Sequence, residues 1–420
     1  MYKLTRLPSG LRVATCEMPT MESVSVGLWI GVGSRYEPKR VGGITHFIEH
    51  LLFKGTRART AKQISQEIEG IGGYLNAFTG EETTCYYAKA SHRHLGILLD
   101  VLADMYLRAR LAPVDIDKER AVIKEELLMY RDQPQQYVHE LLTETMWPGQ
   151  PLGRAVAGSP VSLDAINRRA VIGYKDRHYT AGNSILAIAG HCRHDDILAR
   201  ARHFFPLPPA NGVPRFMRAR DRQRQPQLHY LHKEVEQTHL AIGIRAYSRH
   251  DSRRFSQKLL SVILGENMSS RLFQVIRERH GLAYAIQTAT SYFADTGALY
   301  VSAGLDTRRL DKAVTLVLRE LRKLAAHPPG PAELKRAKDY SIGQMRLGLE
   351  STTNQMMWMG DHLLAYGRIE HPDDIERRVQ AVTADDVQRV AADLFHDRRL
   401  NVAVITPSKN EAGFRRRLEF

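Results

Sequence analysis

The sequence predicts an α+β fold made of two similar domains, joined near the middle of the chain. Three observations support this: the length, an internal repeat, and one linker-like segment. The chain has 420 residues, more than one hydrophobic core normally accommodates, so two domains of about 200 residues are expected. Hydrophobic residues make up 43% and charged residues 25%, the composition of a soluble globular protein.

The repeat is visible in the order of the elements. Each half has an early strand followed by an apolar helix, and each half ends with a helix and a buried strand. The predicted segments are the strands around Ser23–Gly31 and Thr238–Ala246, the helices around Gly43–Phe53 and Phe255–Leu264, and the closing strands Ser184–Gly190 and Asn401–Pro407. The closing strands lie about 217 positions apart, which indicates a tandem duplication.

The linker-like segment is Phe205–Pro214, which is rich in proline and is followed by the basic run Arg215–Arg224. Such a stretch between periodic segments is typical of a connection between domains. The predicted division is therefore a first domain at 1–206, a linker at 207–227 and a second domain at 228–420.

The net charge of +14 leaves a nucleic-acid-binding protein as one alternative. The basic runs are Arg215–Arg224 and Arg415–Arg417, and neither carries the signature of a nucleic-acid-binding fold. We favour a solvated linker and a solvated tail, and we expect no nucleic-acid partner.

The cysteines and the apolar segments indicate the cellular compartment in which the protein is expected. Cys16, Cys85 and Cys192 form no disulfide framework, which fits a reducing environment. Cys192 lies in the segment His191–His194, where a polar loop is favoured over a soft-metal site. No apolar run approaches the roughly 18–20 residues of a membrane span. The segment Met1–Arg6 lacks the apolar core of a signal peptide, so we expect a cytoplasmic protein. A presequence removed before Met1 is the alternative.

A helical segment of the first half carries the pattern His-x-x-Glu-His, formed by His46, Glu49 and His50. Side chains four positions apart share a face of a helix, so both histidines can reach one metal ion. Glu49 projects close to that face, where it can accept a proton from an activated water without binding the metal. This order of residues is the inverzincin motif.

A helix with two hydrogen-bonded histidines and a surface glutamate is the alternative interpretation. The residues around the motif oppose it, because Phe47, Ile48 and 51–53 are apolar and predict a largely buried helix. An unpaired Glu49 would be unfavourable there, whereas a cation would compensate the polar side chains.

A third metal ligand is expected from the helical stretch Asp115–Met129, because a catalytic zinc has three protein ligands and a water. Glu119 and Glu126 are two turns apart and share a face. Glu125 points about 100° away from Glu126, toward solvent. Periodicity alone leaves the choice among these carboxylates open.

With these residues, the chain resembles the pitrilysin and insulysin family, most closely the branch of the mitochondrial processing peptidase and its bacterial relatives. In that family a glutamate ligand follows the second histidine of the motif by about 76 residues, and another glutamate lies seven residues earlier. The spacings of His50, Glu119 and Glu126 match. The resemblance implies that Glu126 binds zinc and that Glu119 orients the site.

The resemblance covers essentially the whole chain, and it implies a fold of two homologous α/β-roll domains, each a mostly antiparallel sheet packed with helices. One zinc per chain and no other cofactor are expected, because the second half has no copy of the metal motif. The loop Leu264–Ser269 departs from the family, whose members often have a more glycine-rich loop there.

Four further residues acquire roles only through the resemblance. It implies that Asn76 and Ala77 lie near the scissile bond, on an edge strand that the substrate extends. It also implies that Arg277 and Tyr284 hold substrate carbonyls. Without the family, we would predict an ordinary hairpin strand for the first pair. For Arg277 and Tyr284 we would predict a surface charge and a strand aromatic.

The predicted function is zinc-dependent endopeptidase activity on peptides or unfolded segments, with Glu49 as the general base. Relatives of this length imply a chamber formed by two chains, either a homodimer or a heterodimer with a related subunit. In a homodimer, Arg277 and Tyr284 of one chain would complete the zinc site of the other. A catalytically silent scaffold subunit with the same fold is the main alternative.

Overall fold

The computed structural model describes residues 2–209, 212 and 214–418, and it places their strands in two sheets. The strands of the first sheet are β1 Tyr2–Arg6, β2 Arg12–Glu17, β3 Ser23–Ile30, β4 Tyr74–Thr79, β5 Thr84–Ser91 and β6 Ser184–Gly190. The strands of the second sheet are β7 Gln227–His232, β8 Thr238–Ala246, β9 Ala283–Tyr292, β10 Gly297–Leu305 and β11 Leu400–Thr406.

The α-helices follow the same division of the sequence. Those of the first half are α1 Ile44–Leu52, α2 Ala61–Glu69, α3 Leu95–Arg108, α4 Pro113–Arg131, α5 Pro134–Met146, α6 Pro160–Asp164, α7 Arg168–His178 and α8 His194–Phe204. Those of the second half are α9 Arg254–Gly265, α10 Leu310–Ala326, α11 Pro331–Gly348, α12 Thr352–Tyr366, α13 Pro372–Ala381, α14 Ala384–Leu394 and α15 Glu411–Arg415. A π-helix spans Phe273–Arg279.

The two sheets share one topology, which confirms the predicted repeat. The first has the order β1-β2-β6-β3-β5-β4 and the second the order β7-β11-β8-β10-β9. In each sheet the closing strand, β6 or β11, is parallel to one neighbour and antiparallel to the other, and all remaining pairs are antiparallel. Apart from the additional β1, strand corresponds to strand.

The central strands have continuous apolar sequences because both of their faces are covered. Every residue of β6 and of β11 is buried, and β3 is buried beyond its first residue. In contrast, β4 is an edge strand whose residues alternate between exposed and half-buried. This contrast is expected when helices cover both faces of a sheet but leave its edge open.

The chain forms two compact units that are discontinuous in sequence. The first unit comprises Met1–Leu127, Arg154–Met217 and Leu347–Glu370, and the second comprises the remaining segments. Each unit thus contains a helical segment from the opposite half of the sequence: α12 belongs to the first unit and α5 to the second. The two segments occupy corresponding places in the repeat.

In the first unit, α12 packs on the face of the sheet formed by β2, β3 and β6. Met356, Met359 and Leu363 are fully buried there, in a cluster with Trp29. Hydrogen bonds between the hydroxyl of Ser25 and those of Thr352 and Thr353 fix the beginning of the helix.

In the second unit, α5 packs in the same way on β7, β8 and β11. Its residues Leu141, Leu142 and Met146 form a buried cluster with Ala241 and Ala403. A helix from the opposite half of the sequence therefore completes the hydrophobic core of each unit.

The predicted domains, 1–206 and 228–420, are continuous in sequence and so do not account for the exchange of α5 and α12. The limits of the two repeats along the sequence remain a prediction. Positions 210, 211 and 213 of the predicted linker lie outside the described residues. The five arginines between 215 and 224 are all exposed, as expected of a solvated segment.

One finding concerns membranes. Among the described residues, no helix combines the length and the apolar character that crossing a membrane requires.

The packing of α12 can be tested at Gly360. A Cβ atom there would lie 2.1 Å from the ring of Trp29, so Gly360→Ala should force α12 away from β3. We expect a loss of about 1–3 kcal/mol in the free energy of unfolding, measured from urea midpoints. Gly173→Ala is the matched control: nothing lies within 4 Å of a Cβ atom at this exposed helical position. It should stabilise the protein by up to about 1 kcal/mol. Equal effects of the two changes would contradict the close packing.

Candidate metal centre

The helix α1 begins at a turn that only glycine fits well. Gly43 has a φ of 91°, and a Cβ atom there would lie 2.6 Å from the carbonyl oxygen of Ala157. The buried carboxylate of Glu37 accepts hydrogen bonds from the backbone N–H groups of Gly43 and Thr45, at 2.6 and 2.8 Å. These bonds satisfy two donors at the N-terminus of the helix, where negative charge is favourable. Glu37 thereby fixes the position of α1.

The buried face of α1 packs into the core of the first unit, and the opposite face carries the motif. Phe47, Ile48 and Leu52 are fully buried. His46 and His50 lie side by side on the more open face, with ring centroids 4.6 Å apart. The prediction of a largely buried helix is confirmed, and the helical period brings the two imidazoles together.

Glu126 of α4 completes a cluster with the two histidines. Its Oε2 lies 3.9 Å from Nε2 of His46 and 3.6 Å from Nε2 of His50. Two ligands of a tetrahedral zinc, each about 2.1 Å from the metal, would lie about 3.4 Å apart. Among the described residues, these three form the only group of three or more histidine, cysteine or acidic side chains whose ligand atoms all lie within 4.8 Å of one another. The chemistry and spacing of the donors therefore fit a zinc ion.

Glu119 and Glu125 differ as the helical period predicts. Glu119 is buried, with 4% of its surface exposed, and its Oε2 lies 3.1 Å from Nδ1 of His50. Its Oε1 forms an ion pair of 2.8 Å with Lys54. A carboxylate that accepts the Nδ1–H of a histidine leaves Nε2 of that ring available to a metal. Glu125 is exposed, away from this cluster.

The protonation state of His46 also suits a metal ligand. Burial, together with the nearby His50, lowers the pKa of His46 to about 4. The imidazole is therefore neutral at pH 7 and retains a lone pair for coordination.

Glu49 is partly buried and is held by a residue of the edge strand. Burial raises its pKa above the ordinary range, and a hydrogen bond from Thr79 opposes this shift. Oγ1 of Thr79 donates that bond to Oε2 of Glu49 at 2.5 Å. The sequence analysis gave Thr79 no role. The alternation of β4 was the available signal, because it places Thr79 on the same face as Ala77.

Asn76 and Ala77, to which the resemblance gave a shared role, lie on opposite faces of the edge strand β4. Ala77 lies on the face of β4 that packs toward the core of the first unit, together with Thr79. Asn76 lies on the opposite, exposed face, where its side-chain oxygen accepts a hydrogen bond from the backbone N–H of Ala77, at 2.8 Å. Only one of the two thus shares the face that holds the predicted base.

Arg277 and Tyr284 lie together in the second unit. Arg277 is in the π-helix and Tyr284 is on the edge strand β9, with 80% of its surface exposed. The guanidinium carbon of Arg277 lies 5.7 Å from the ring centroid of Tyr284 and 4.7 Å from that of Phe273. The structure therefore brings this predicted pair together as an exposed cation and phenol.

The segment His191–His194, which contains Cys192, was weighed in the sequence as a soft-metal site. His194 begins α8, and its ring nitrogens bond to the hydroxyls of Thr5 and Thr15, at 2.9 and 2.8 Å. The ring is therefore fully engaged by threonines of β1 and β2.

Comparison with known proteins identifies the family. The family model described as insulinase, peptidase family M16, matches residues 12–159, and that of the M16 inactive domain matches residues 165–340. A protein named as an uncharacterized zinc protease in Streptomyces coelicolor is 37% identical over 423 residues, which cover 98% of this chain and 91% of that protein. The chain belongs to peptidase family M16.

Other relatives agree with this assignment. A protein of Bacillus subtilis, also named as an uncharacterized zinc protease, is 33% identical to this chain. The match covers 98% of this chain and 99% of the Bacillus subtilis protein. The names of these relatives support zinc as the metal. Membership of a zinc protease family is therefore confirmed, and it identifies the chain as a peptidase.

Solved structures confirm the fold. A protease from Helicobacter pylori aligns with this chain with a TM-score of 0.90 at 22% identity. The alignment covers 97% of this chain and 99% of the Helicobacter pylori chain. A protein from Pseudomonas fluorescens described as an M16 inactive domain aligns with a TM-score of 0.89 at 16% identity, over 97% and 98%. The predicted α+β fold of two repeated domains is confirmed.

The assignment of the third ligand can be tested with a matched pair of variants. Glu126→Gln should lower zinc occupancy strongly, because it replaces a charged ligand with a weaker neutral one. Glu125→Gln makes the same chemical change at the adjacent exposed position and should leave occupancy unchanged. Metal content of the purified proteins, and competition with a chelator, would measure the difference. Equal occupancy in the two variants would refute the ligand assignment.

Proposed function

We propose that this chain is a zinc-dependent endopeptidase that cleaves peptides or unfolded segments. One observation carries the proposal: the largely buried helix α1 places two imidazoles beside a carboxylate of α4, and a partly buried second carboxylate lies next to them. Three ligands with an adjacent base form the arrangement of a hydrolytic zinc site rather than that of a closed structural site. Zinc bound there would supply Lewis acidity, which activates a water and polarises a peptide carbonyl.

The protein side chains carry out the proton transfer and position the reacting groups. Glu49 accepts the proton of the attacking water and returns it to the leaving amine. Its raised pKa favours the first of these steps, since a carboxylate with a pKa closer to neutrality accepts a proton more readily. Thr79 fixes the orientation of Glu49, and Glu119 fixes that of His50.

The edge strand β4 supports a role in substrate binding. It pairs with β5 on one side only, so its other side offers backbone donors and acceptors to an extended peptide. Because Thr79 of this strand bonds to Glu49, a peptide added to β4 would run beside the base. An extended segment fits such an edge and a folded domain does not, which supports the proposed substrate class.

A catalytically silent scaffold with the same fold is the competing proposal. Such a subunit would have no need to keep His46, His50 and Glu126 within 4.8 Å and a base beside them. The complete set therefore favours the enzyme.

The function can be tested by removing the base. Glu49→Gln keeps the size of the side chain and can still accept the hydrogen bond from Thr79, but it cannot take up a proton. Zinc should remain bound while hydrolysis of a mixed peptide library falls by about 10²–10⁴-fold, measured by mass spectrometry. A zinc-loaded Glu49→Gln protein with normal turnover would rule out the mechanism. A zinc-loaded wild type that cleaves nothing would favour the scaffold.

We further propose that two chains together form the working enzyme. The metal cluster belongs to the first unit, whereas Arg277 and Tyr284 belong to the second. In a homodimer with two-fold symmetry, each chain would contribute this exposed pair to the zinc site of the other. The phenol and guanidinium would then stabilise the developing oxyanion. A heterodimer with a related chain would use the same geometry.

Mixing two inactive variants tests the shared site. Glu49→Gln and Tyr284→Phe should each be impaired as homodimers. In a mixed dimer one site would have both groups intact, so activity should reappear when the subunits exchange. A pair acting within its own chain would leave one lesion in every site. No recovery across mixing ratios, with exchange confirmed by labelled subunits, would therefore reject the shared site. So would a monomer that is fully active.

A further inference from the structure

A small cavity in the second unit has no role in the reaction described above. It has a volume of about 200 Å³ and lies beside Tyr284, between α5 and the strands β8, β9 and β10. Its floor includes the buried Val138 and Leu240. Cavities for small-molecule ligands usually measure about 300–1,000 Å³, so this one is of a size for a single side chain.

The polar side chains that line the cavity are uncharged and able to form hydrogen bonds. The polar side chains that face it include Gln135, His139, Gln237, His239, Tyr284 and Gln287. None of the lining residues is a lysine, arginine, aspartate or glutamate. Burial lowers the pKa of His139 and of His239, so both imidazoles are neutral at pH 7. Each amide and each neutral imidazole offers both a donor and an acceptor.

These six side chains have no hydrogen-bond partners among the described residues. Within the part of the chain that the structure describes, none of them makes a side-chain hydrogen bond. Four of them, Gln135, Gln237, Tyr284 and Gln287, are exposed, so their polar atoms are solvated and open to an entering side chain. The cavity therefore gathers six polar side chains whose donors and acceptors are available to a ligand.

We propose that this cavity is a specificity pocket that binds a neutral amide side chain of the substrate, that of glutamine or asparagine. This inference rests on the proposed function, because Tyr284 at the rim is the residue proposed to meet the substrate near the scissile bond. An amide matches the lining, since it both donates and accepts. An apolar side chain would displace water from the polar lining without replacing its hydrogen bonds. An ionised side chain would find no opposite charge.

A set of peptides with side chains of nearly equal size tests the pocket. Each position around the cleavage site is varied among Gln, Met and Glu, and kcat/KM is measured for the zinc-loaded protein. At one position, Gln should be preferred over both Met and Glu by on the order of 10-fold, as two hydrogen bonds would give. The double variant Gln237→Met/Gln287→Met keeps the shape of the pocket but removes two amides. Its ratio of Gln to Met should fall to about one.

The control variant is Gln380→Met, the same change at an exposed glutamine of α13 that is not part of the cavity lining. It should keep the wild-type ratio. A ratio that is flat at all positions, a preference for Met or Glu, or a preference that survives in the double variant would overturn the proposal.

Binding measurements separate failure of the pocket from failure of the peptidase. Fluorescence anisotropy with the Glu49→Gln protein and labelled peptides needs no turnover. Tighter binding of the Gln peptide, lost when Gln237→Met/Gln287→Met is added, supports the pocket even if wild type cleaves nothing. Equal affinities for the three peptides, in a protein whose wild type does cleave them, would reject the pocket alone.

Discussion

The metal helix α1 must satisfy two requirements that conflict. One face is fully apolar core, yet the adjacent positions carry two histidines and a glutamate whose partial burial would be unfavourable without partners. Thr79 on β4 is the partner of Glu49, and the carboxylates of α4 are those of the histidines, while Glu37 satisfies backbone N–H groups at the start of the helix. Removing any one leaves a buried polar group unsatisfied, so the positions of these elements are mutually dependent. Metal binding to the assembled cluster would add its free energy to folding.

The second unit repeats the sheet without repeating the chemistry. Its helix α9 occupies the place of α1, but its buried polar residues are Ser256, Gln257 and Ser261, none of them a histidine. Gln257 bonds to backbone groups around β8 and β10, and Ser261 bonds to Thr288 of β9. Polar side chains of α9 thus attach that helix to its own sheet, whereas the histidines of α1 lie in the metal cluster. Duplication preserved the packing and left these side chains to diverge.

The parts of the site that follow the helical period could be predicted from the sequence. Spacings of four and seven residues placed His46 with His50 and Glu119 with Glu126, and the structure confirms both pairs. Glu37 and Thr79 were missed, because their contacts with α1 depend on a loop conformation and on the register of β4. The alternation of β4 places Thr79 on the inner face, but it does not show which residue of α1 that face meets. The exchange of α5 and α12 was missed for a related reason: an amphipathic helix has the same sequence pattern whichever sheet its apolar face covers.

That exchange of helices also sets the order in which the chain can complete its folding during translation. All six strands of the first sheet have been synthesised once β6 is made, but α12, which covers one face of that sheet, is encoded more than a hundred residues later. At about 5–20 residues per second, the ribosome needs on the order of ten seconds or more to supply it. During that interval the face around Trp29 is bare, and a chaperone or a transient substitute helix has time to bind there. The sheet that supports the metal centre is thus completed only when most of the second half has left the ribosome.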